Sequence, residues 1–466
     1  MMCKISDEVV AAILKKGKIY EVGGAVRDRM LNREVELKDR DYLVCGITLD
    51  ELSRILNKFG DIDLVGRSFG VIKFTQRLKS KRFTFDVALP RREISTGPGH
   101  RDFTVDFDPH LTVEDDLLRR DFTINAMAIA LDKEELVDPF GGLKDLRNGL
   151  IRMVSLKSFP EDPLRMLRAI QFAARFEFKI EPATYAAIKE HSELIKTISP
   201  ERTSEEINKL LLKAGKPSLG FYMMLETGLL KYIFPELVSM VGVEQPGGYH
   251  KYDVFEHTLR TVDSSPRILR VRLAALFHDV AKPQTKQVVD DKATFYGHEK
   301  IGARAAENTL KRLRYPNELI HDVALLVDKH MFTTDVTDKG RRRLIRKVGA
   351  ELIFDLLALR RADVVAQGMG GTTEDVDRFE KEIQEEIERK PPFSIRELAL
   401  NGDDVMSIFN LPQSPLIGEI LNHLLDKVLD DPGCNDRDRL VELTRLYLNN
   451  RENKNNQIYL MSGDSE

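Results

Sequence analysis

The stretch IYEVGGAVRDRMLNREVELKDRDYLV, residues 19–44, decides the fold of the N-terminal part of the chain. A short apolar run ends in Gly23-Gly24, a helix-like segment follows from Ala25 to Leu31, and Asp39-Arg40-Asp41 opens a second apolar run. This order reads as strand, glycine turn, helix, strand. Side chains two apart in a strand point the same way, so Asp39 and Asp41 share a face. Two carboxylates so placed can share a divalent metal, and the glycine turn leaves a phosphate-sized gap beside them. A metal beside such a gap suggests phosphoryl transfer. Gly-Gly before a helix can seat a phosphate on backbone N–H groups, or can be no more than a tight turn.

The same mixed pattern continues to about residue 150. Strand-like runs occur at 18–22, 41–45, 71–75 and 82–89. In RFTFDVAL, residues 82–89, Phe83, Phe85, Val87 and Leu89 alternate onto one face and Asp86 lies on the other. Asp86 is thus a candidate third carboxylate, in a cluster that would repel itself without a cation. Beyond residue 150 apolar residues recur at helical spacing through 163–215, 219–240, 254–282, 300–330 and 341–367. Glycine-rich breaks at 244–253 and 368–375 are candidate boundaries. The polar end, ENKNNQIYLMSGDSE from residue 452, reads as loosely ordered.

A chain of 466 residues suggests about three domains. With 42% apolar and 31% charged residues its composition is that of a soluble globular protein. No apolar run reaches the ~18 residues of a membrane span, and no secretory leader is expected. Cys3, Cys45 and Cys434 form no framework or zinc spacing, which fits a reducing cytoplasm. The net charge of −4 means that a nucleic acid would have to be held by local basic patches. KRLR (311–314) and GRRRLIRK (340–347) are candidates, although such runs are often solvated helix faces.

Two polar clusters interrupt apolar stretches. In DLLRRDFTINAMAIA, 116–130, Asp121 and Asn125 would share a face if the segment is helical, beside Arg119 and Arg120. A carboxylate with an amide suits ribose hydroxyls, and arginines suit phosphate oxygens. A helix cap at Asp121 with a structural Asn125 would give the same pattern. In EDPLRMLRAIQFAARFEF, 161–178, Pro163 suits a first helical turn, and Asp162 and Arg165 would project together. An acceptor beside donors matches the amino group and adjacent ring acceptor of cytosine or adenine; uracil and guanine present the reverse order. An i, i+3 ion pair is the plainer reading.

VGGAVRD, DRD, RRDFTINAMA, DPFGGLKDL (138–146) and EDPLRMLRAIQFAARF, in this order and spacing, closely resemble the motifs of class II tRNA nucleotidyltransferases, the bacterial CCA-adding enzymes and their poly(A) polymerase relatives. The resemblance covers roughly the first 240 residues. It implies an α+β nucleotidyltransferase head with a mixed β-sheet, followed by all-α neck, body and tail. It implies Mg²⁺ at Asp39 and Asp41, with Asp86 in the catalytic cluster. Gly23, Gly24, Arg27 and Arg120 would help to bind nucleotide, Asp121 and Asn125 would meet the ribose, Asp162 and Arg165 would read the base, and Arg168 and Arg175 would meet phosphate. Gln171 stands where an arginine is usual, so no phosphate role is carried onto it. Residues 90–116 resemble a flexible loop used in switching from C to A. In VGRSFGVIKF, 65–74, Ser68 stands where the polymerases usually have a second basic residue. The implied partners are the tRNA 3′ end, CTP and ATP.

A second constellation follows. VFEHTLRTV, LAALFHDVAKP, FYGHEKIGA, LLVDKH and LLALRRADVVA carry His257, His278-Asp279, His298, His330 and Asp363. Imidazole and carboxylate are ordinary ligands of divalent metals. These residues resemble the HD phosphohydrolase signature, with His298 and His330 matching the extra pair of two-metal versions. The resemblance implies a fused hydrolase acting on phosphoesters such as 2′,3′-cyclic phosphates, with a divalent metal of unspecified identity. Residues 391–432 resemble the C-terminal helices of such enzymes. The expected domains are a head at 1–150, neck and body at 151–250, an HD domain at 251–370 and a helical tail at 371–466. The alternatives are an A-adding enzyme of a split pair, a poly(A) polymerase, or an RNA-binding HD hydrolase with an idle head.

Overall fold

The computed structural model describes residues 5–33, 40–64, 70–78, 81–95, 103–106, 108–246, 251–289 and 292–461. Asp39 and Ser68 lie outside them. The chain forms two compact units, Met1–Ser239 with Thr309–Tyr315, and Met240–Asn308 with Pro316–Glu466.

In the first unit the strands are β1 (Lys18–Val22), β2 (Asp41–Cys45), β3 (Asp61–Asp63), β4 (Val71–Leu78), β5 (Lys81–Ala88), β6 (Arg92–Ser95), β7 (Phe103–Asp106), β8 (Ala128–Ala130) and β9 (Leu136–Val137). Seven form one sheet in the order β3-β4-β5-β2-β1-β8-β9. The β2–β5 pairing is parallel and the others antiparallel, so the sheet is mixed as expected. Strand alternation sends Tyr42, Val44, Phe85 and Val87 to one face, under Ile5, Val9, Ile13 and Leu52. Val22 and Leu43 face the other side with Leu117 and Ala126. β6 and β7 form a separate antiparallel pair within the segment read as a flexible loop. Residues 96–102 between them lie outside the described set.

The helices of this unit that bear on the site are α1 (Asp7–Leu14), α2 (Gly24–Met30), α3 (Leu49–Leu56), α4 (Val113–Leu118), α5 (Gly142–Arg147), α6 (Ser158–Glu161), α7 (Leu164–Phe176), α8 (Pro182–His191) and α9 (Pro200–Lys213). α7 starts behind Pro163 and ends at Glu177, which takes a left-handed conformation (φ 58°). α9 starts with a Ser199 cap and Pro200 at its first position, and it packs on α7. Arg312 of the basic run at 311–314 donates to the Glu236 carboxylate at 3.0 Å, and Arg314 pairs with Glu201 at 3.4 Å. Both arginines stay on the surface of the unit.

The second unit is mainly helical. Helices Val254–Ser264, Leu269–Phe277, Asn317–Lys329 and Leu352–Ala366 pack on one another. Gly402–Phe409, Pro415–Asp430 and Arg437–Met461 share a separate apolar core around Val405, Leu424 and Leu440. The last helix runs into the polar segment that begins at residue 452, and 462–466 lie outside the described residues. In the basic run at 340–347, Arg342 is buried while Arg343 and Lys347 are exposed. Buried Arg342 donates to Glu386 at 3.0 Å and to the Leu429 carbonyl at 2.7 Å, and Arg346 reaches Asp426. Two short strand pairs depart from the helical expectation, Leu150–Ile151 with Lys179–Ile180 and Gln287–Val289 with Lys292–Thr294. Strands of two or three residues are too short to show alternation.

Candidate active site and candidate metal centre

The register of β2 on β5 sets Asp41 beside Asp86 on the same face, both exposed. Between the two aspartates of the DRD run, Arg40 turns the other way. It is buried, and its Nη1 lies 3.2 Å from the Glu21 carboxylate, itself 2% exposed. This buried pair fixes which side of the strand Asp41 takes. Gly23 has a φ of 80°, and a methyl group there would stand 3.2 Å from Arg120 Nη1 and 3.3 Å from Asp41 Oδ2. Glycine therefore serves both the backbone conformation and the close approach. The result is an open cradle beside two adjacent carboxylates, an oxygen set suited to a hard cation such as Mg²⁺.

This cradle opens into a cavity of about 490 Å³ lined by Gly23, Gly24, Arg27, Arg120, Asp121, Asn125, Asp162, Arg165, Arg168 and Arg175, together with Asp41. All the nucleotide-binding residues expected from the sequence thus line one cavity. Their arrangement differs in detail. Asp121 and Asn125 do not share an α-helix, because the chain from Thr123 to Asn125 is a single 3₁₀ turn. They meet all the same, with Asn125 Nδ2 donating to Asp121 Oδ1 at 2.9 Å. Arg168 donates through Nε and Nη2 to Asp121 Oδ2 at 2.9 and 2.7 Å. Burial works against ionisation of Asp121, but Arg168 and Asn125 outweigh it and hold its carboxyl below the usual value. Arg27 donates to Asn125 Oδ1 at 2.7 Å and lies over the Phe172 and Phe176 rings.

Asp162 precedes α7 in extended backbone, and its carboxylate receives Arg202 at 3.0 Å, not Arg165. Arg165 is locked instead by Ser158 Oγ at 3.1 Å and by the Arg119 carbonyl at 2.7 Å. The i, i+3 ion pair is therefore not the arrangement adopted. The sequence reading missed Arg202, Glu206, Lys209 and Lys213, which bring one face of α9 to the cavity. Their helical spacing was legible, but not the helix they would face. It also missed Asp116, fully buried, which accepts from Arg119 and Arg120 and holds both. Among the described residues, three buried polar atoms in this cavity have no protein partner, Arg120 Nε, Gln171 Nε2 and Glu206 Oε2. Unpaired buried groups of this kind fit a cavity made for a polar ligand.

In the second unit all six expected residues converge, each at least nine-tenths buried. Asp279 stands between two histidine pairs. Its Oδ2 lies 3.2 Å from His278 Nε2 and 3.6 Å from His257 Nε2. Its Oδ1 lies 3.4 Å from His298 Nε2 and 3.9 Å from His330 Nε2. Asp363 Oδ1 is 3.1 Å from His257 Nε2. The Nδ1 atoms of His278, His298 and His330 sit 2.7–2.8 Å from the carbonyls of Ala275, Phe295 and Val327. A carbonyl only accepts, so in the neutral rings Nδ1 carries the proton and Nε2 turns a lone pair inward. The Nε2 lone pairs of His298 and His330 then face each other at 3.2 Å, while His257 Nε2, 3.4 Å from His278 Nε2, also lies 3.1 Å from Asp363 Oδ1. Facing lone pairs repel unless a cation lies between them, so the donor set fits two metal positions sharing Asp279, built from His257, His278, Asp279 and from Asp279, His298, His330.

Burial, with His278 nearby, lowers His330 to about 3, which keeps that ring neutral. Burial alone would also depress His278, but Asp279 and Asp363 outweigh it and raise its pKa. Asp279 lies well below the usual carboxyl value because His278 and Lys282 overcome its burial. Lys282 and Arg360 were not foreseen. Lys282 Nζ reaches Asp279 Oδ2 and Gln245 Oε1, each at 2.7 Å, and Arg360 reaches Asp363 Oδ2 at 2.9 Å. Each stands three residues from its aspartate, a helical spacing that could have revealed it. Both line a cavity of about 360 Å³ with the cluster.

Known proteins agree with this organisation. A family model described as "Poly A polymerase head domain" matches residues 19–152. A second, "Probable RNA and SrmB- binding site of polymerase A", matches 177–240, and a model of tRNA nucleotidyltransferase domain 2 matches 293–444. The multifunctional CCA protein of Mannheimia succiniciproducens is 39% identical over 312 residues, covering 64% of this chain and 70% of that protein. The chain belongs to the multifunctional CCA protein family. The family member from Nitrosococcus oceani is 40% identical over 309 residues, covering 64% of this chain and 71% of its own length. Among solved structures, the Bacillus stearothermophilus CCA-adding enzyme in complex with CTP has the same fold, with a TM-score of 0.72 at 23% identity over 96% of this chain and 98% of that one. The Thermotoga maritima CCA-adding enzyme complexed with tRNA gives a TM-score of 0.53 at 21% identity, over 95% and 96%. Family membership implies a divalent metal for nucleotidyl transfer. No described helix is long and apolar enough to cross a membrane.

Proposed function

We propose that the chain adds C, C and A to the 3′ end of tRNA from CTP and ATP without a nucleic-acid template, and that its second unit hydrolyses phosphoesters at RNA ends. The observation that carries the first activity is a single cavity joining the Asp41 and Gly23 cradle to the Asp121–Asn125 pair and to Asp162 and Arg165. The names of the relatives support the same reading. On this reading residues 1–150 form the head, 151–250 the neck and body, 251–370 the hydrolase and 371–466 the tail, in a protein acting in the cytoplasm.

Asp39 and Asp41, with Asp86, would hold Mg²⁺. When bound, the ion lowers the pKa of the RNA 3′-hydroxyl and neutralises charge as pyrophosphate leaves the α-phosphate. The other steps rest on the chain's own residues. Gly23 and Gly24 let the triphosphate approach the backbone, and Arg27 stands beside it on its aromatic shelf. Asp121 stays ionised to accept from the ribose, oriented by Arg168 and Asn125. Arg165, locked by Ser158 and the Arg119 carbonyl, donates to the base, and Asp162 accepts from its amino group. Uracil or guanine would leave two buried groups unpaired at about 1–3 kcal/mol each, a discrimination of roughly a hundredfold or more. In the second unit a divalent metal would supply the nucleophile for hydrolysis. Lys282 and Arg360 bring positive charge to the cavity in which the phosphoester would lie.

The test offers tRNA ending before, within or after CC, with labelled CTP and ATP separately and together. We expect C on the two shorter ends and a single A after CC. A added after CC with no C added to either shorter end would indicate an A-adding enzyme, and long A tails a polymerase; either result overturns the proposal. Addition lost in Asp39→Ala with Asp41→Ala is expected, and unchanged incorporation would rule this site out.

A further inference from the structure

We propose that Tyr296 and Met331 form a stacking platform at the mouth of the second cavity for the terminal nucleobase of an RNA end. The proposal rests on the hydrolase reading of that cavity. Tyr296 is 82% exposed, the most exposed large apolar side chain among the described residues, and Met331 is 58% exposed. Both line the cavity of about 360 Å³, and below them the same cavity is lined by buried His278, Asp279, His298 and His330. Cavities of about 300–1,000 Å³ take whole small molecules, and a phosphate group would fill only part of this one. Large apolar side chains left in water forgo the stabilisation of burial, so two of them at one cavity mouth fit a ligand that covers them.

The backbone ties both side chains to the histidine cluster. Tyr296 stands two residues before His298, and Met331 directly follows His330. The carbonyl of Phe295, next to Tyr296, accepts from His298 Nδ1 at 2.7 Å, and the Val327 carbonyl accepts from His330 Nδ1 at 2.7 Å. The strand Lys292–Thr294 leads into this corner and is held by the Ala293 N–H, which donates to the Pro246 carbonyl at 2.9 Å. Gly297 then takes a φ of 76°, and the chain turns into the helix His298–Arg312. Tyr296 is thus presented from a short corner anchored on both sides. The cationic part of the cavity adjoins it, since Lys282 Nζ reaches Asp279 and lies 5.2 Å from the centre of the Phe295 ring. A phosphoester held near Lys282 and Arg360 would bring the group it carries to this corner. A tyrosine ring and a polarisable thioether suit a flat heteroaromatic base better than a bare sugar or glycerol. Every base has a π-face, so the platform would accept an RNA end whatever its last nucleotide.

The experiment compares hydrolysis of adenosine 2′,3′-cyclic phosphate with that of glycerol 1,2-cyclic phosphate, which has no base, by the full chain with added divalent metal. Tyr296→Ala should raise KM for the adenosine substrate roughly tenfold, as for loss of about 1.4 kcal/mol, with kcat little changed. KM for the glycerol ester should stay at its native value. Tyr296→Phe keeps the π-face and should keep the native KM, and Met331→Ala should raise it about threefold. A short RNA ending in the same cyclic phosphate should show the same rise in Tyr296→Ala; a rise for the mononucleotide alone overturns the use of the platform at RNA ends. Thermal stabilisation by added metal should be native in Tyr296→Ala. An unchanged adenosine KM, an equal rise for the glycerol ester, or loss of that stabilisation overturns the proposal alone. So does a KM in Tyr296→Phe as high as in Tyr296→Ala. An unchanged adenosine KM in Met331→Ala overturns it too, a reading that stands even if Tyr296→Ala fails to fold. A native chain that hydrolyses neither ester overturns the hydrolase reading and this proposal with it.

Discussion

Asp41 and Asp86 are exposed side by side at the strand ends of the first unit, whereas the six His and Asp side chains of the second are all buried. The contrast is physical. Exposed carboxylates remain hydrated, so their repulsion is tolerable until a cation and a substrate arrive. A buried cluster with imidazole lone pairs face to face has no such refuge, and its apo form carries the cost in stability. The carboxylate pair of the first site is therefore tolerated in solvent, whereas the buried donor set of the second fits a cation.

The largest effects should separate the two chemistries. Asp41→Ala is expected to lower nucleotide addition by about a thousandfold or more, the scale of losing several kcal/mol of metal stabilisation. Cyclic-phosphate hydrolysis should stay at its native rate in the same preparation. The mirror experiment, His278→Ala with Asp279→Ala, should abolish hydrolysis and spare addition. If either variant loses both activities while remaining folded, the two sites are not independent. Next in size is the response to chelation. Restoring a divalent metal at about 100 times its dissociation constant should stabilise the native cluster by ~2.7 kcal/mol. Thermal unfolding followed with and without chelator should show this gain, and His278→Ala with Asp279→Ala should lose it while Asp41→Ala keeps it. A smaller effect is expected at Gly23→Ala, where a side chain at φ 80° costs about 1–2 kcal/mol and crowds Asp41 and Arg120. Addition should fall roughly tenfold, and a native rate would show that the cradle is not used.

The smallest effect is one of pH. Asp121 has a folded pKa below its usual value. Its stabilisation by Arg168 is therefore complete above the unfolded carboxyl value, near 4, and is lost as pH falls through the lower folded value. The stability difference between the native chain and Asp121→Asn should stay constant from neutrality to about pH 5 and shrink below that. Urea unfolding across this range measures it, and a difference that grows in acid would contradict the assignment.

What was legible in the sequence divides along similar lines. The strand, turn, helix, strand order of the opening stretch depends on neighbours a few residues apart, and β1 and β2 fall at 18–22 and 41–45 as read. The polar face of Asp86 was equally visible, but its pairing with Asp41 depends on a parallel register across forty residues. Asp121 and Asn125 were correctly coupled for the wrong local reason, since a 3₁₀ turn brings them together as well as a helix would. The α9 residues were hidden because their partners lie on another helix. Asp39, the first residue of the proposed metal pair, lies outside the described residues. The histidines announced themselves by their rarity and spacing, while Lys282 and Arg360 resembled ordinary surface charge. In the run at 340–347, the buried role of Arg342 was hidden because its acceptors, Glu386 and the Leu429 carbonyl, lie far along the chain.

The helix α7 has one more consequence. It carries Arg165, Arg168 and Arg175 on a single rod, tied down by Arg165 to the Arg119 carbonyl and by Arg168 to Asp121. Inserting or deleting one residue after Arg165 would turn everything downstream by about 100°. Arg168 and Arg175 would then swing out of line with Arg165. In this chain an insertion or deletion between these points should therefore cost more than a substitution at one of them.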